Sequence, residues 1–223
     1  MSSETEQATL AELPGLALAS LLASRLCHDF ISPASAIVSG LDLLDDPSAQ
    51  DMRDDAMALI SGSARKLADM LQFARVAYGG ASGAEHFSRQ ELEALAKGVF
   101  AHHRGDLDWS MSPETLAKGP ARALLNLSAV AAAALPMGGA AKLSVEQVGG
   151  DVIIIVDAVG PRARLRPELL AGLQGAGPGE GLAGHWVQAA WTQALIIQSG
   201  GTIEVVCKEG RVVLTARIPS GSH

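Results

Sequence analysis

The chain has 223 residues, enough for one large domain or two small ones, and 48% of them are hydrophobic, which excludes wholesale disorder. Aromatic residues make up only 4% of the chain, so Ala, Leu, Val and Ile must build most of the core. The formal net charge of -7 argues against nucleic acid as the main ligand, because binding to a phosphate backbone needs concentrated Lys and Arg.

The termini and the cysteines give no sign of secretion. Residues 1–15 are acidic and lack the basic start and apolar core of a signal peptide, and no run of about 18 apolar residues is present to span a membrane. Cys27 and Cys207 make neither a disulfide framework nor a metal quartet. We therefore expect a soluble, cytoplasmic protein with a flexible N-terminus. Residues 220–223, SGSH, are assigned no function and would be a remnant of cloning.

Two long helices joined by a short turn are predicted over residues 16–78. Apolar residues recur at helical spacing on both sides of DDPSAQD, a turn in which Pro47 suits a helix start and Asp46 or Ser48 a cap. The first apolar stripe is Leu22, Leu26, Phe30, Ile37, Leu41 and Leu44, and the second is Met52, Ala56, Ile60, Leu67, Leu71 and Ala74. One antiparallel hairpin cannot cover both stripes, so we expect two copies to form a four-helix bundle, and hence a homodimer.

A second domain is predicted after YGGASGAEH, which marks a linker at residues 79–86. Ser88 and Glu91 fit a capping box at the start of a helix, and the domain extends over residues 87–219. The further elements are a strand at 106–112, an Ala-rich helix at 120–136, two strands about a Gly-Gly turn at 141–158, a helix at 184–201, and strands at 202–209 and 211–219. Strand pairs interleaved with helices predict an α+β sandwich, with helices on one face of a mixed sheet.

The first helix presents a histidine on its polar side. The polar positions three, four or seven residues apart are Ser24, Arg25, His28, Ser32 and Ser35. An exposed imidazole is largely neutral at cytoplasmic pH and can act as a nucleophile. A carboxylate that accepts the hydrogen of one ring nitrogen leaves the lone pair of the other nitrogen outward, and Asp29 is the nearest candidate, although the contact needs a bent side chain.

Pro33 follows one turn after this histidine. Because proline lacks an N–H, the carbonyl of Asp29 loses its helical partner, and we expect a kink that opens the surface for a docking partner. Ser32 is placed to bind a phosphoryl group or a water. Each feature alone is compatible with an ordinary surface residue, but their combination within two turns favours a functional site.

The segment CHDFISPASAI resembles the H-box of the dimerisation and phosphotransfer domain of histidine kinases. By this resemblance His28 is the phosphoaccepting histidine, Asp29 is its proton acceptor, and Ser32-Pro33 is the hydroxyl-proline pair. Related kinases often carry Thr or Asn at the hydroxyl position, where it helps to position a hydrolytic water. Ser32 departs from that pattern, so phosphatase activity is not inferred.

The C-terminal half resembles the ATP-binding (Bergerat) domain of the same kinases but lacks some of its boxes. Asn126 matches the first asparagine of the N-box, whereas Val130 stands at the magnesium-binding position and cannot ligate a hard cation. Asp157 matches the adenine-binding aspartate, whereas Val159 replaces a glycine of that box. Only GAGPGEGLAG corresponds to the glycine-rich lid. We therefore expect a degenerate domain that binds no ATP, metal or other cofactor.

Nearly end to end, the chain resembles the ChpT family of bacterial histidine phosphotransferases. The resemblance implies a dimeric phosphorelay carrier, which accepts a phosphoryl group from the receiver domain of a hybrid histidine kinase. It would pass the group to response regulators of the CtrA and CpdR kind, which control the cell cycle, and the receivers would supply the acceptor aspartate and Mg²⁺. Candidate docking residues on the bundle are Arg25, Ile31, Ser35, Arg53 and Lys66.

Two other functions stay open at this point. An ATP-dependent sensor histidine kinase fragment is one, against which Val130 and Val159 argue. A non-catalytic dimeric scaffold is the other, in which His28 would be incidental.

Several further residues are expected to be structural. Cys27 diverges from its histidine neighbour by about 100° around the helix, so we expect a buried thiol rather than a Cys–His pair. His102 and His103 are expected at a solvated helix end, and Trp186 and Trp191 as core or interface anchors. The basic residues Arg162, Arg164 and Arg166 form either a solvated loop or a contact for an acidic receiver.

Overall fold

The computed structural model of the protein describes residues 15–79, 83–178 and 183–220, and of Ala183 only the backbone. Residues 1–14 of the predicted flexible N-terminus lie outside the described residues. The middle of the predicted linker (80–82), part of the glycine-rich segment (179–182) and the last three residues also lie outside them.

The two predicted helices of the hairpin are present. Helix α1 spans Gly15–Asp45 and helix α2 spans Arg53–Ala77, and a short 3₁₀ helix, Pro47–Met52, joins them. Asp46 caps this turn, because its carboxylate accepts a hydrogen bond from the backbone N–H of Ser48 at 2.8 Å. Helix α1 continues through Pro33, which is buried.

The seam between α1 and α2 departs in part from the predicted stripes. On α1, Pro33 and Gly40 are buried, and Ile37 and Leu44 are half-buried. Leu41, the residue after Gly40, points away from the seam and is exposed. Ala56 of α2 is buried, but Leu71 of α2 is exposed, and so is Met52 at the end of the 3₁₀ helix. The three exposed residues belong to the predicted apolar stripes. Within a single chain, the contact between the two helices therefore covers only part of each stripe.

The exposed residues form what we call the uncovered stripe: Ile31, Val38 and Leu41 on α1, and Met57 and Leu71 on α2. Their spacing places the members of each helix on one face. Cys27 precedes Ile31 by four residues and is exposed on the same face, so the expectation of a buried thiol is wrong for the single chain.

The C-terminal half contains a mixed five-stranded sheet, as predicted, with strand order β2-β4-β5-β7-β6. The strands are β2 (Gly105–Met111), β4 (Gly139–Val148), β5 (Asp151–Val159), β6 (Thr202–Lys208) and β7 (Arg211–Pro219). Strands β2 and β4 are parallel and the other pairs are antiparallel. Gly149 and Gly150, with φ of +60° and +89°, make the predicted tight turn between β4 and β5.

Two further strands, β1 (His86–Ser88) and β3 (Thr115–Ala117), pair antiparallel in a small separate sheet that the sequence did not indicate. His86 was predicted to end the linker and instead begins β1. Single apolar residues in three-residue strands carry no alternation that could be read from sequence.

The helices of this half are α3 (Arg89–Phe100), α4 (Lys118–Ala133), α5 (Pro167–Leu173) and α6 (Ala183–Gln198). Ser88 caps α3 by accepting from the N–H of Glu91 at 3.2 Å, as predicted. Helix α5 was not predicted, because its seven residues follow a basic, proline-containing segment. Alternate residues of β5, such as Ile154 and Val156, are fully buried beneath the helices.

The first part of α1 packs against the second half of the chain. Leu22 of α1 is buried in a cluster with Trp186, Val187 and Ala190 of α6. The sheet half therefore lies directly beside the segment that carries His28. Among the helices within the described ranges, none has both the length and the apolar character needed to cross a bilayer.

Candidate functional site

His28 lies in the middle of α1, and its side chain is 85% exposed. Its Nδ1 atom is 3.2 Å from Oδ1 of Asp29. A carboxylate only accepts hydrogen bonds, so this contact places the ring hydrogen on Nδ1 and leaves the lone pair of Nε2 free. The arrangement presents a nucleophilic nitrogen to solvent.

Asp29 is itself held in place from the other side. Its Oδ2 accepts a hydrogen bond from Nε of Arg25 at 2.6 Å, one turn earlier on the helix. Nη1 of the same guanidinium donates to the backbone carbonyl of Gly184, in the first turn of α6. A continuous chain of contacts therefore connects α6, through Arg25 and Asp29, to the imidazole of His28.

A cavity of about 390 Å³ opens on one side of His28, between the hairpin and helices α3, α4 and α6. Five of the residues singled out from the sequence line it: Arg25, His28, Asp29, Ser32 and Lys66. Ile31 and Ser35 are exposed on α1 outside this lining.

Arg53 is not brought to the site. It begins α2, level with the end of α1, and lies about 25 Å from His28, because 17 helical residues separate His28 from Asp45 at 1.5 Å each. Arg53 was grouped with the docking residues because the sequence alone does not show how far along the hairpin each position falls.

His102 also lines this cavity and is not a solvated helix end. Its Nε2 is 2.8 Å from Oδ2 of Asp69 on α2, and its side chain is half-buried. The following residue, His103, is exposed, as expected. The pairing of His102 links α3 to the hairpin, a tertiary contact that local sequence does not report.

A second cavity, of about 340 Å³, lies on the α6 side of His28. Its lining is Leu21, Ser24, Arg25, His28 and Asp29 of α1 together with Gly184 and His185 of α6. Burial lowers the pKa of His185, and the positive charges of Arg25 and Arg166 lower it further. Sequence analysis missed His185, because nothing in the order of residues indicates that α6 begins beside α1.

The residues that the resemblance assigned to a nucleotide site contact other parts of the protein. Asn126 is fully buried, and its Nδ2 donates to the carbonyls of Ala77, at 3.1 Å, and Arg122, at 2.9 Å. Val130 is buried in the core. The carboxylate of Asp157 accepts two hydrogen bonds from Arg211, at 2.8 and 2.7 Å. Asn126 thus holds the C-terminal end of α2, and Asp157 pairs with a neighbouring strand.

The tryptophans of α6 are core and interface residues, as predicted. Trp186 is fully buried and its Nε1 donates to the carbonyl of Ala176 at 2.8 Å. The ring of Trp191 packs edge-on against Tyr78, and the guanidinium of Arg122 lies 5.6 Å from its centre. Arg122 also donates to the carbonyls of Ala77 and Tyr78, so this group fixes α2 against α4 and α6.

The basic segment before α5 is exposed at Arg162, Arg164 and Arg166. Nη1 of Arg166 lies 3.5 Å from Nε2 of His185. Among the described residues, no group of three or more His, Cys, Asp or Glu side chains is arranged to hold a metal ion.

Comparisons with known proteins converge on one family. Residues 89–211 match the family model of the histidine phosphotransferase C-terminal domain. The protein phosphotransferase ChpT of Brucella abortus (strain 2308) is 34% identical over 205 residues, which are 92% of this chain and 97% of that protein. A solved structure of a bacterial phosphotransferase is 32% identical, with a TM-score of 0.83 over 94% of this chain and 100% of that one. The Acinetobacter baumannii histidine kinase AdeS is a more distant match, 14% identical with a TM-score of 0.47 over 87% of this chain and 98% of that one.

Proposed function

The chain belongs to the histidine phosphotransferase family that includes ChpT, and on that basis we propose that it is a phosphohistidine carrier of a multi-step phosphorelay, with His28 as the carrier residue. The observation that carries the proposal is the exposed imidazole whose Nδ1 is 3.2 Å from Asp29, so that the nucleophilic Nε2 is accessible to another protein.

The proposed step moves a phosphoryl group from an aspartate of a receiver domain to Nε2 of His28. The bond from phosphorus to the aspartyl oxygen breaks, the bond from phosphorus to Nε2 forms, and the receiver retains a free carboxylate. Nε2 attacks with its lone pair, so it need not lose a proton first. The ring becomes positively charged, and Asp29 stabilises that charge through its contact with Nδ1.

The same steps in reverse deliver the group to the aspartate of a second receiver. Positioning and charge neutralisation dominate phosphoryl transfer, and in this proposal the receivers bring the Mg²⁺ that neutralises the phosphoryl oxygens. We propose the receiver of a hybrid histidine kinase as donor and response regulators of the CtrA and CpdR kind as acceptors. Of the proposed docking residues, Arg25, Ile31, Ser35 and Lys66 are the ones near His28 along the hairpin.

We further propose that the C-terminal domain does not bind Mg-ATP. Two arrangements support this: Val130 supplies no oxygen ligand, and Arg211 already holds both oxygens of the Asp157 carboxylate, which an adenine amino group would have to contact. The family resemblance also assigns a homodimer, and the uncovered stripe of the hairpin supports it.

A labelling experiment tests the carrier function. The full-length protein, its His28→Ala variant and the control His86→Ala are each incubated with radiolabelled ATP alone, and separately with a receiver domain carrying a labelled phosphoryl group. His86 is an exposed histidine on β1, outside both cavities. We expect label only from the receiver, in the wild type and the control, and none in His28→Ala.

If the protein is labelled by ATP alone, it is a histidine kinase and the proposed carrier function is wrong. No label from any of a panel of receivers would favour the scaffold function. Label retained by His28→Ala would show that another residue is the carrier.

A further inference from the structure

His185 shares a cavity with the proposed carrier histidine although it belongs to the other half of the molecule. The cavity of about 340 Å³ is many times the roughly 30 Å³ that one water occupies in the liquid, so it has room for a phosphoryl group with attendant waters. His28 and Asp29 form part of the α1 side, and Gly184 and His185 form the α6 side. His28 and His185 therefore line the same cavity, one from α1 and the other from α6.

The hydrogen on the His185 ring can be assigned from its contact with Arg166. Nη1 of Arg166 lies 3.5 Å from Nε2 of His185, and a guanidinium only donates, so Nε2 accepts and the hydrogen is on Nδ1. Nδ1–H of His185 is thus the atom of the ring that can donate a hydrogen bond to an oxygen of a ligand.

The neutral state of this imidazole suits a carrier that must release its group. Burial, Arg25 and Arg166 lower the pKa of His185, while Glu168 and Asp29 oppose this effect. A neutral donor stabilises the phosphoryl oxygens less strongly than a second fixed cation would. It therefore assists transfer in both directions without trapping the phosphorylated state.

The position of His185 relative to His28 is set by Arg25. This side chain binds Asp29 on its own helix and the carbonyl of Gly184, the residue before His185. Because the same guanidinium contacts both walls, the spacing between the two histidines is tied to the residue that orients His28.

We propose that His185 is a further catalytic residue of the phosphotransfer site, and that its Nδ1–H donates a hydrogen bond to an oxygen of the phosphoryl group as the group is transferred to or from Nε2 of His28. The C-terminal domain then contributes directly to the reaction rather than only to docking. This inference rests on the proposed carrier function of His28.

Single-turnover transfer from a phosphorylated receiver to the full-length protein tests it, measured over a range of receiver concentrations. The variants are His185→Ala, His185→Asn and His185→Gln, with His86→Ala as the matched control. The amide nitrogen of Asn falls near the place of Nδ1, and that of Gln near the place of Nε2. We expect the maximal rate to fall roughly 10- to 100-fold in the Ala and Gln variants, to recover largely in the Asn variant, and to stay unchanged in the control.

The half-saturating concentration of receiver should stay the same in all variants. A change in that concentration alone would make His185 a docking contact and overturn the proposal. Equal rates in the Asn and Gln variants, or no loss in any variant, would also overturn it. Thermal unfolding checks that each variant is folded, and the comparison of Asn with Gln decides the matter even where the Ala variant is unstable.

The carrier function and this inference fail in different ways. If His28→Ala keeps its label, the carrier function is wrong. If His28→Ala loses its label while all His185 variants transfer normally, only the role of His185 is wrong.

Discussion

At the level of single side chains, Asp29 connects His28 to Arg25 and through it to α6. One oxygen lies 3.2 Å from Nδ1 of His28 and the other accepts from Arg25 at 2.6 Å. The Arg25–Asp29 pair has the i, i+4 spacing that neighbouring helical turns favour, so its formation follows from the sequence. The contact between adjacent residues His28 and Asp29 needs a bent side chain, and the structure shows that Asp29 reaches the ring.

Replacement of Asp29 by asparagine tests this orientation. Asp29→Asn keeps the size of the side chain but removes its charge, so it no longer compels the hydrogen onto Nδ1 or stabilises the positive ring. We expect the single-turnover rate of phosphotransfer to fall roughly 10- to 100-fold, the range for a lost hydrogen bond to a charged group. Nitrogen-15 NMR of the His28 imidazole should show more hydrogen on Nε2.

Asp42→Asn, an exposed carboxylate on the same helix, is the matched control and should leave both the rate and the tautomer unchanged. A normal transfer rate in Asp29→Asn, with the tautomer altered, would show that orientation of the ring does not limit the reaction.

At the level of helices, the close approach of α1 and α2 depends on Gly40. A Cβ atom at this position would lie 2.6 Å from Cγ1 of Ile60 and 3.2 Å from the carbonyl oxygen of Ala56. Contacts of that length do not occur without a shift of the neighbouring side chain or helix. The sequence predicted both helices, but not the glycine that sets their separation.

A pair of glycine-to-alanine variants separates packing from helix propensity. Alanine favours a helix over glycine by about 1 kcal/mol, but at Gly40 the clash outweighs this gain, and we expect Gly40→Ala to lower the free energy of unfolding by about 1–2 kcal/mol. Gly62 of α2 has no described atom within 4 Å of its ideal Cβ position, so Gly62→Ala should raise that free energy by roughly 0.5–1 kcal/mol.

Urea unfolding followed by circular dichroism, at one protein concentration, measures both variants. A gain of stability in Gly40→Ala similar to that in Gly62→Ala would mean that the helices separate without cost at this point.

At the level of the whole molecule, the uncovered stripe is an apolar surface that the single chain leaves exposed to solvent. Ile31 is 61% exposed and Val38 is 56% exposed, although both are large apolar residues at helical spacing. Exposed Cys27 lies beside them on α1. A second copy that packs its own hairpin against this stripe would complete the proposed four-helix bundle.

A charge placed on the stripe should therefore prevent dimerisation. We expect Val38→Glu to elute as a monomer, because an isolated carboxylate buried between apolar helices is strongly unfavourable. Light scattering coupled to gel filtration measures the mass of the wild type and the variant. Ser39→Glu, at the exposed neighbouring position, is the control and should leave the mass unchanged; a dimeric Val38→Glu would place the interface elsewhere.

The sequence by itself determined the two long helices, the mixed sheet and the exposure of His28. These features follow from local periodicity and from the chemistry of single side chains, so they can be derived from short stretches. The small sheet of β1 and β3 and helix α5 escaped prediction, because elements of three to seven residues carry too few periods.

Only the tertiary structure decided what surrounds His28. Three arrangements join residues that are distant in the chain: Arg25 contacts Gly184, His185 lines a cavity together with His28, and Asn126 donates a hydrogen bond to the end of α2. Such contacts depend on how α6 and α4 pack against the hairpin, and this packing is determined jointly by many side chains from different parts of the chain. No local pattern reports such contacts, which is why the sequence indicated the exposure of His28 but not the residues of α6 that line a cavity with it.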